Sequence, residues 1–481
     1  MSLAEFKGLL RVGFWLLSTS AFPWQPPGST AKRLYVEPFT TKAAADKLRE
    51  AMIAELRKLS SFSLVPDERN ADLVLGGGGD IWIKGYRSFN PRSHMKMPSN
   101  GTPIYDGYIS VELKTRQGVT VWSWLATPGA ASEDALKDIS KRIAKHLSDA
   151  LPESEIPAAA SVHVPAIKLT AAGATFPYPV YQKWFTNFQR EDPGTAIVYD
   201  AIGSEAGIRK LLAGKIDFGA SDSPEVIHQL APDDQKKYLL FPSVVGAVVP
   251  IVNVPGVPEN IAFTPEALAG IFLGKIRKWN DPVLRRANRG VNLPDLNIVV
   301  VHRGDGSGTS YAWTDYLSKV SPEWKADVGA TLSPRWPIGR AATGNDGVAK
   351  LVKELGGSIG YVEFIYALQN HLSYSPIRNR NGEFVEARLE SILAAVNHFP
   401  DIHDDFEESI VNAPGEGSYP IASFTWLVVP AHIADDTRRS VITAFLKWML
   451  GPGQRQAAAL GYVALPKEIV AKEESAIARI H

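Results

Sequence analysis

The chain contains no cysteine. That absence excludes a disulfide framework, a thiolate nucleophile, cysteine-based zinc sites and lipid attachment at an N-terminal cysteine. It also leaves the compartment unreadable from redox chemistry. Net charge is missing too: 51 basic residues are matched by 51 acidic ones. A balance of that kind argues against a nucleic-acid binder that tracks phosphates over a broad surface, while leaving a local anion pocket open. The apolar run near the N-terminus, Val12 to Leu17 after Lys7 and Arg11, is too short to span a bilayer. Small residues at Thr19 and Ala21, or at Ser29 and Ala31, meet the spacing a signal peptidase needs. Residues 1–31 therefore read as a signal peptide or N-terminal tail, although Glu5 also fits an amphipathic start to the folded region.

With 481 residues the chain exceeds the usual single core, so two or three domains are expected. In residues 32–151, Arg33–Val36, Phe62–Val65, Asp72–Leu75, Asp80–Lys84, Tyr108–Lys114 and Val119–Trp124 carry strand patterns. Two helical patterns join them, one with Leu48, Met52, Leu56 and Leu59 on a face after a cap at Thr41, the other with Leu136, Ile139, Ile143 and Leu147. A small α/β sandwich with a mostly antiparallel sheet is the expected outcome. Gly76 to Gly79 lack the Gly-Lys-Ser/Thr of a phosphate loop and read as a bulge or strand connection. Pro91 to Pro103, with Arg92, His94 and Lys96, reads as a long polar loop, and residues 152–165 as an interdomain linker. Beyond it, βα alternation with glycine-rich switch loops predicts parallel strands with helices on both faces.

Four segments in that second part carry the chemistry. His302-Arg303-Gly304-Asp305-Gly306-Ser307-Gly308-Thr309-Ser310 precedes an amphipathic run. Glycine lets backbone approach a ligand, the first N–H groups of a helix lack internal partners, and the helix dipole favours negative charge there. Arg303 adds a fixed charge whose fork suits phosphate or carboxylate oxygens. Ala174-Thr175-Phe176-Pro177 and Ile202-Gly203-Ser204-Glu205-Ala206-Gly207 each put a hydroxyl at another helix start. Asp217 to Asp222 reads as a short buried strand ending in a carboxylate. Taken singly, each has a plain alternative as a cap, a turn residue or a surface ion pair.

In this order the four segments resemble the phosphate-binding component of the bacterial high-affinity phosphate ABC importer. Further matches are Val244–Val249, Leu273–Ile276 with Trp279-Asn280-Asp281, Gly344-Asn345-Asp346-Gly347, Ser358–Glu363 and Tyr419-Pro420-Ile421. The resemblance covers about residues 166–481 and not the first third. It implies a two-lobed periplasmic-binding-protein fold of type II, class α/β, with lobe one formed by about 166–251 plus 426–481 and lobe two by about 252–425. The chain would cross between lobes near Val249–Asn253 and return near Ser423–Val428.

The resemblance also implies the ligand contacts: backbone N–H groups of Phe176 and Gly308, hydroxyls of Thr175, Ser204, Ser307 and Thr309, the Arg303 guanidinium, and Asp222, with Asp305 holding Arg303. A carboxylate beside an anion makes sense for a ligand that has a proton to donate, as phosphate does and sulfate at neutral pH does not. Glu205 and Gly304 depart from the family pattern, and Glu205 adds a negative charge near a helix start.

The implied role is non-enzymatic: phosphate capture in the periplasm or another extracytoplasmic space, and delivery to ABC permease and ATPase subunits, without cofactor, metal or nucleic acid. Two other readings stay open, a phosphate sensor or envelope scaffold signalling through the N-terminal domain, and a phosphatase. Against the latter, no Gly-x-Ser-x-Gly elbow surrounds Ser307 and no His-Glu-x-x-His occurs. His398, His403, Asp404 and Asp405 are the one suggestive metal cluster, and their acidic setting reads as a solvated loop.

Overall fold

The computed structural model describes residues 32–41, 45–87, 102–116, 118–129, 134–150, 167–257, 260–399, 403 and 406–481. The expected signal segment, the linker, most of the Pro91–Pro103 loop, and Asp404 and Asp405 lie outside these. Among the described residues no helix is long and apolar enough to cross a membrane.

The N-terminal unit is a six-stranded sheet. Strands β1 (Lys32–Val36), β2 (Thr40–Thr41), β3 (Phe62–Leu64), β4 (Leu73–Arg87), β5 (Thr102–Thr115) and β6 (Thr120–Ala126) are arranged in the order β3-β1-β4-β5-β6, with β2 beside β4. The long β4–β5–β6 meander is antiparallel, but β1 lies parallel to both neighbours and β2 parallel to β4. The sheet is therefore mixed rather than simply antiparallel.

Helices α1 (Ala45–Leu56) and α2 (Ala135–Ala150) cover one face. Leu48, Met52 and Leu56 of α1, with Ile139, Ile143 and Leu147 of α2, meet Val111 and Leu113 in its core. The sequence reading needs two corrections here. Thr41, expected as a helix cap, pairs with Gly79 in β2. The glycine run does not break the strand, because β4 continues through it in register with β5. A Cβ at Gly78 would come within 2.8 Å of the Thr40 carbonyl oxygen, so bare backbone here is what lets β2 lie alongside.

The second unit is a mixed sheet in the order β12-β11-β13-β10-β17-β9-β7-β8, with β14 (Ser373–Tyr374) beside β10. One end holds β7 (Ile167–Gly173), β8 (Thr195–Ala201) and β9 (Phe218–Ser221), all parallel. The other holds β11 (Val299–Arg303), β12 (Arg340–Ala342) and β13 (Ser358–Glu363), also parallel. A small hairpin, β15 (Ile377–Arg378) with β16 (Phe384–Val385), lies apart.

Two long strands, β10 (Tyr238–Asn253) and β17 (Ala422–Pro430), join the halves. Residues 238–247 of β10 pair with β17, and residues 248–253 with β13. At Ala247/Val248 β10 thus exchanges one partner strand for the other. Almost every residue of β10 is buried, as expected of a strand covered on both faces.

Candidate functional site

Each parallel strand of the two lobes ends where a helix begins, so strand ends and helix starts converge on the crevice between lobes. Crevices beyond the carboxyl ends of strands are the usual ligand position in open α/β sheets. From lobe one, β7 leads through Thr175 and Phe176 into α3 (Tyr178–Glu191), β8 into α4 (Ser204–Leu212), and β9 into Asp222. From lobe two, β11 ends at Arg303, and helix Gly308–Val320 follows with Ser307 as its N-cap.

Phe176, Ser204, Asp222, Arg303, Ser307 and Thr309 are buried, and Thr175 is half-buried. Cross-cleft bonds tie them together. The Gly308 N–H donates to Ser204 Oγ at 3.1 Å, Arg303 Nη1 to Thr175 Oγ1 at 3.4 Å, and the Glu205 N–H to the Gly306 carbonyl at 3.3 Å. The structure thus holds the two lobes closed on one another.

Arg303 is fixed as a fork. Its Nε donates to Asp305 Oδ1 at 2.7 Å, and Nη2 to Asp305 Oδ2. Asp305 also accepts from the Gly344 N–H at 3.1 Å. Burial works to raise the Asp305 carboxyl, but the Arg303 bonds and charge hold it below the usual carboxylate range. The pairing orients the guanidinium without consuming Nη1.

Asp222 has the opposite balance. Burial pushes its carboxyl up to about 7, against the Thr425 hydrogen bond and the Arg303 charge that lower it. Thr425 donates to Oδ1 at 2.6 Å. The other oxygen faces the start of the Gly308 helix, where a Cβ on residue 308 would lie 2.7 Å from both Asp222 Oδ2 and its backbone nitrogen. Glycine at 308 is thus a steric requirement of the Asp222 position.

The hydroxyls at the two helix starts differ in role. Ser204 is the first residue of α4 rather than its cap, which is Gly203, and its hydroxyl serves the cleft instead. Ser307 is a true cap, accepting from the Ser310 N–H at 3.1 Å, which bends the chain so that Gly308 and Thr309 open the helix. Glu205 reaches across the cleft: Ser333 of lobe two donates to its Oε2 at 2.8 Å, while Arg209 pairs with Oε1.

Several residues without an assigned role hold the others. Asn345 is fully buried; its Nδ2 donates to Thr175 Oγ1 at 2.9 Å and Thr309 Oγ1 at 3.3 Å, and its Oδ1 accepts from the Glu363 N–H. Tyr366 donates to the Thr175 carbonyl at 2.7 Å, and Tyr462 to the Phe176 carbonyl at 2.6 Å. The Gly344-Asn345 motif was visible in the sequence, but its bonds to residues 36 and 170 positions away were not. Elsewhere, His398 lies 3.0 Å from Ser418 Oγ, and His403 pairs with Glu408. Among the described residues no group of three potential metal ligands forms.

Strand ends, helix starts and a buried arginine facing a buried carboxyl define a two-lobed solute-binding architecture. Residues 133–452 match the PBP superfamily domain, and individual relatives match over a similar length. Phosphate-binding protein PstS of Pasteurella multocida is 41% identical over 311 residues, spanning 63% of this chain and 88% of the relative. PstS of Xylella fastidiosa is 42% identical over 312 residues, spanning 64% and 85%. The chain belongs to the PBP superfamily and, within it, to the PstS family. The high affinity periplasmic phosphate-binding protein PfluDING, solved bound with phosphate, has the same fold: TM-score 0.53 and 21% identity, over 64% of this chain and 93% of that one. Strands β1–β6 precede the family match.

Proposed function

We propose that this protein binds inorganic phosphate outside the cytoplasm and delivers it to the permease and ATPase subunits of an ABC importer, without catalysing a reaction. Membership of the PstS family supports the transport role. The observation that carries the ligand is Asp222, a buried carboxyl set among donors. In a pocket for a fully ionised anion its ionised form would only repel. Beside a protonated phosphate oxygen it accepts the ligand's proton, while Arg303 and the helix starts face the charged oxygens.

In this reading Thr175, Ser204, Ser307 and Thr309 supply hydroxyls, and Phe176 and Gly308 backbone N–H groups. Arg303 supplies the charge and Asp305 its orientation. The carboxyl raised to about 7 fits a site in which one proton lies between Asp222 and a ligand oxygen. Hinge closure, general for such folds, would exclude water and strengthen each of these bonds.

Titration calorimetry of the full chain with phosphate, sulfate and arsenate at neutral pH tests the proposal. Tight phosphate binding with sulfate essentially ignored is the expected result; equal binding of both would remove Asp222 from the selectivity argument. Sustained release of phosphate from aryl phosphates that survives repurification would overturn the non-enzymatic part.

A further inference from the structure

The second face of the N-terminal sheet is covered along β5 and β6. Residues alternate across a strand, so Val111, Leu113 and Ala126 face α1 and α2, while Ser110, Glu112, Ser123 and Leu125 face the binding unit. Ser110 Oγ donates to the Ala459 carbonyl at 2.6 Å and Ser123 Oγ to the Arg455 carbonyl at 2.6 Å. Ser123 Oγ also accepts from the Ala459 N–H at 3.1 Å. Glu112 pairs with Lys183 of α3, and Leu125 joins the binding unit's core. All of these partners lie in lobe one.

The same unit also holds lobe two. Trp82 of β4 stacks on His371, ring centroids 4.1 Å apart. Arg388 Nη1 donates to Thr127 Oγ1 at 2.6 Å, and Nη2 to the Pro128 carbonyl at 3.0 Å. Arg142 and His146 of α2 converge on Glu390, at 2.6 and 3.3 Å. Arg388 is anchored within lobe two through Glu386, which accepts from Asn260.

We propose that the N-terminal unit is a clamp: it docks on both lobes in their closed arrangement and thereby sets how readily the cleft opens and phosphate leaves. A rigid body bonded to both sides of a hinge stabilises the lobe arrangement it fits and no other. The segment it grips also leads to the site. Three residues after Ala459, Tyr462 donates to the Phe176 carbonyl and lies 3.4 Å from Glu363 Oε2 of lobe two. Ser110 and Ser123 therefore hold the turn that places a residue bridging the two lobes beneath the ligand segment.

For its release readout the proposal rests on the phosphate reading; lobe distance reads it without ligand. Because the chain has no cysteine, spin labels at Lys215→Cys in lobe one and Lys325→Cys in lobe two report that distance by pulsed dipolar spectroscopy on the full chain. Phosphate-free protein should show mainly the closed distance. The double variant Trp82→Ala, Glu390→Ala should add a longer-distance population, return to the closed distance with inorganic phosphate, and release phosphate about fivefold or more faster. Identical distance distributions and release rates in variant and parent would overturn the clamp, as would a parent that opens as widely as the variant. If the double variant does not regain the closed distance with phosphate, the shape-preserving Glu390→Gln decides by the same criterion. Lack of phosphate binding by the parent would instead defeat the functional proposal and leave the distance comparison intact.

Discussion

The two sheets have similar ingredients and different outcomes. In the binding unit, parallel strands β7, β8 and β11 each end at a turn into a helix start, so donors and dipoles converge on one crevice. In the N-terminal unit the long β4–β5–β6 meander is antiparallel, and its strands turn back on themselves. One sheet turns its strand ends toward a crevice. The other spends a face on its neighbour, with small hydroxyls at Ser110 and Ser123 where a larger side chain would hold the units apart. Strand connection, more than composition, decides which sheet carries a site.

Core substitution should separate the units most strongly. Ile143→Ala removes a fully buried α2 side chain and should destabilise the N-terminal unit by about 2–5 kcal/mol. Calorimetric melting should then show a lowered transition for this unit ahead of the binding unit. A single unchanged transition would mean that the two sheets do not differ as described.

Arg303→Ala tests the other sheet. A charge-assisted bond contributes roughly 1.5–3 kcal/mol, so phosphate affinity should fall at least about tenfold. The loss of its partner also leaves Asp305 without its main stabiliser. An unchanged dissociation constant by calorimetry would place the anion elsewhere.

Asp222→Asn should alter selectivity more than affinity. The amide can turn its N–H toward an oxygen, so the variant should accept sulfate better and discriminate less. An identical phosphate-to-sulfate ratio in variant and parent would remove Asp222 as the proton-reading group.

The pH dependence follows from the same carboxyl. With Asp222 raised to about 7, protonated Asp222 becomes a donor as pH falls below that value, so discrimination against sulfate should weaken in acid and sharpen above neutrality. For stability the sign is the usual one for a raised acid. The folded state keeps the proton longer than the unfolded chain, so this contribution is present below about pH 4 and is lost as pH rises towards 7. Denaturant titrations of Asp222→Asn should lack that part of the slope.

The smallest effect is expected at Glu205→Gln. The amide retains an acceptor for Ser333 and loses only a partly exposed ion pair with Arg209, so phosphate affinity should stay within about threefold. A large gain in affinity would mean that the Glu205 charge opposes the ligand directly.

Periodicity and local motif were enough for much of this protein. Leu48, Met52 and Leu56, spaced at helical intervals, mark α1, and the glycine and hydroxyl clusters mark the helix starts, because both signals act over a few residues. The extent of β4 was not legible, since four consecutive glycines have no side chains to show that a strand continues. Nor were the bonds from Asn345 to Thr175 and Thr309, the reach of Glu205 to Ser333, or the docking of Ser110 and Ser123 on residues more than 300 positions away. The sequence by itself determined which residues have the chemistry to hold an oxyanion, because that depends on residue type and local backbone. Only the tertiary structure decided how Asp222 is buried, how Arg303 is aimed and where the N-terminal sheet rests, because desolvation and long-range pairing arise only when distant segments exclude water together.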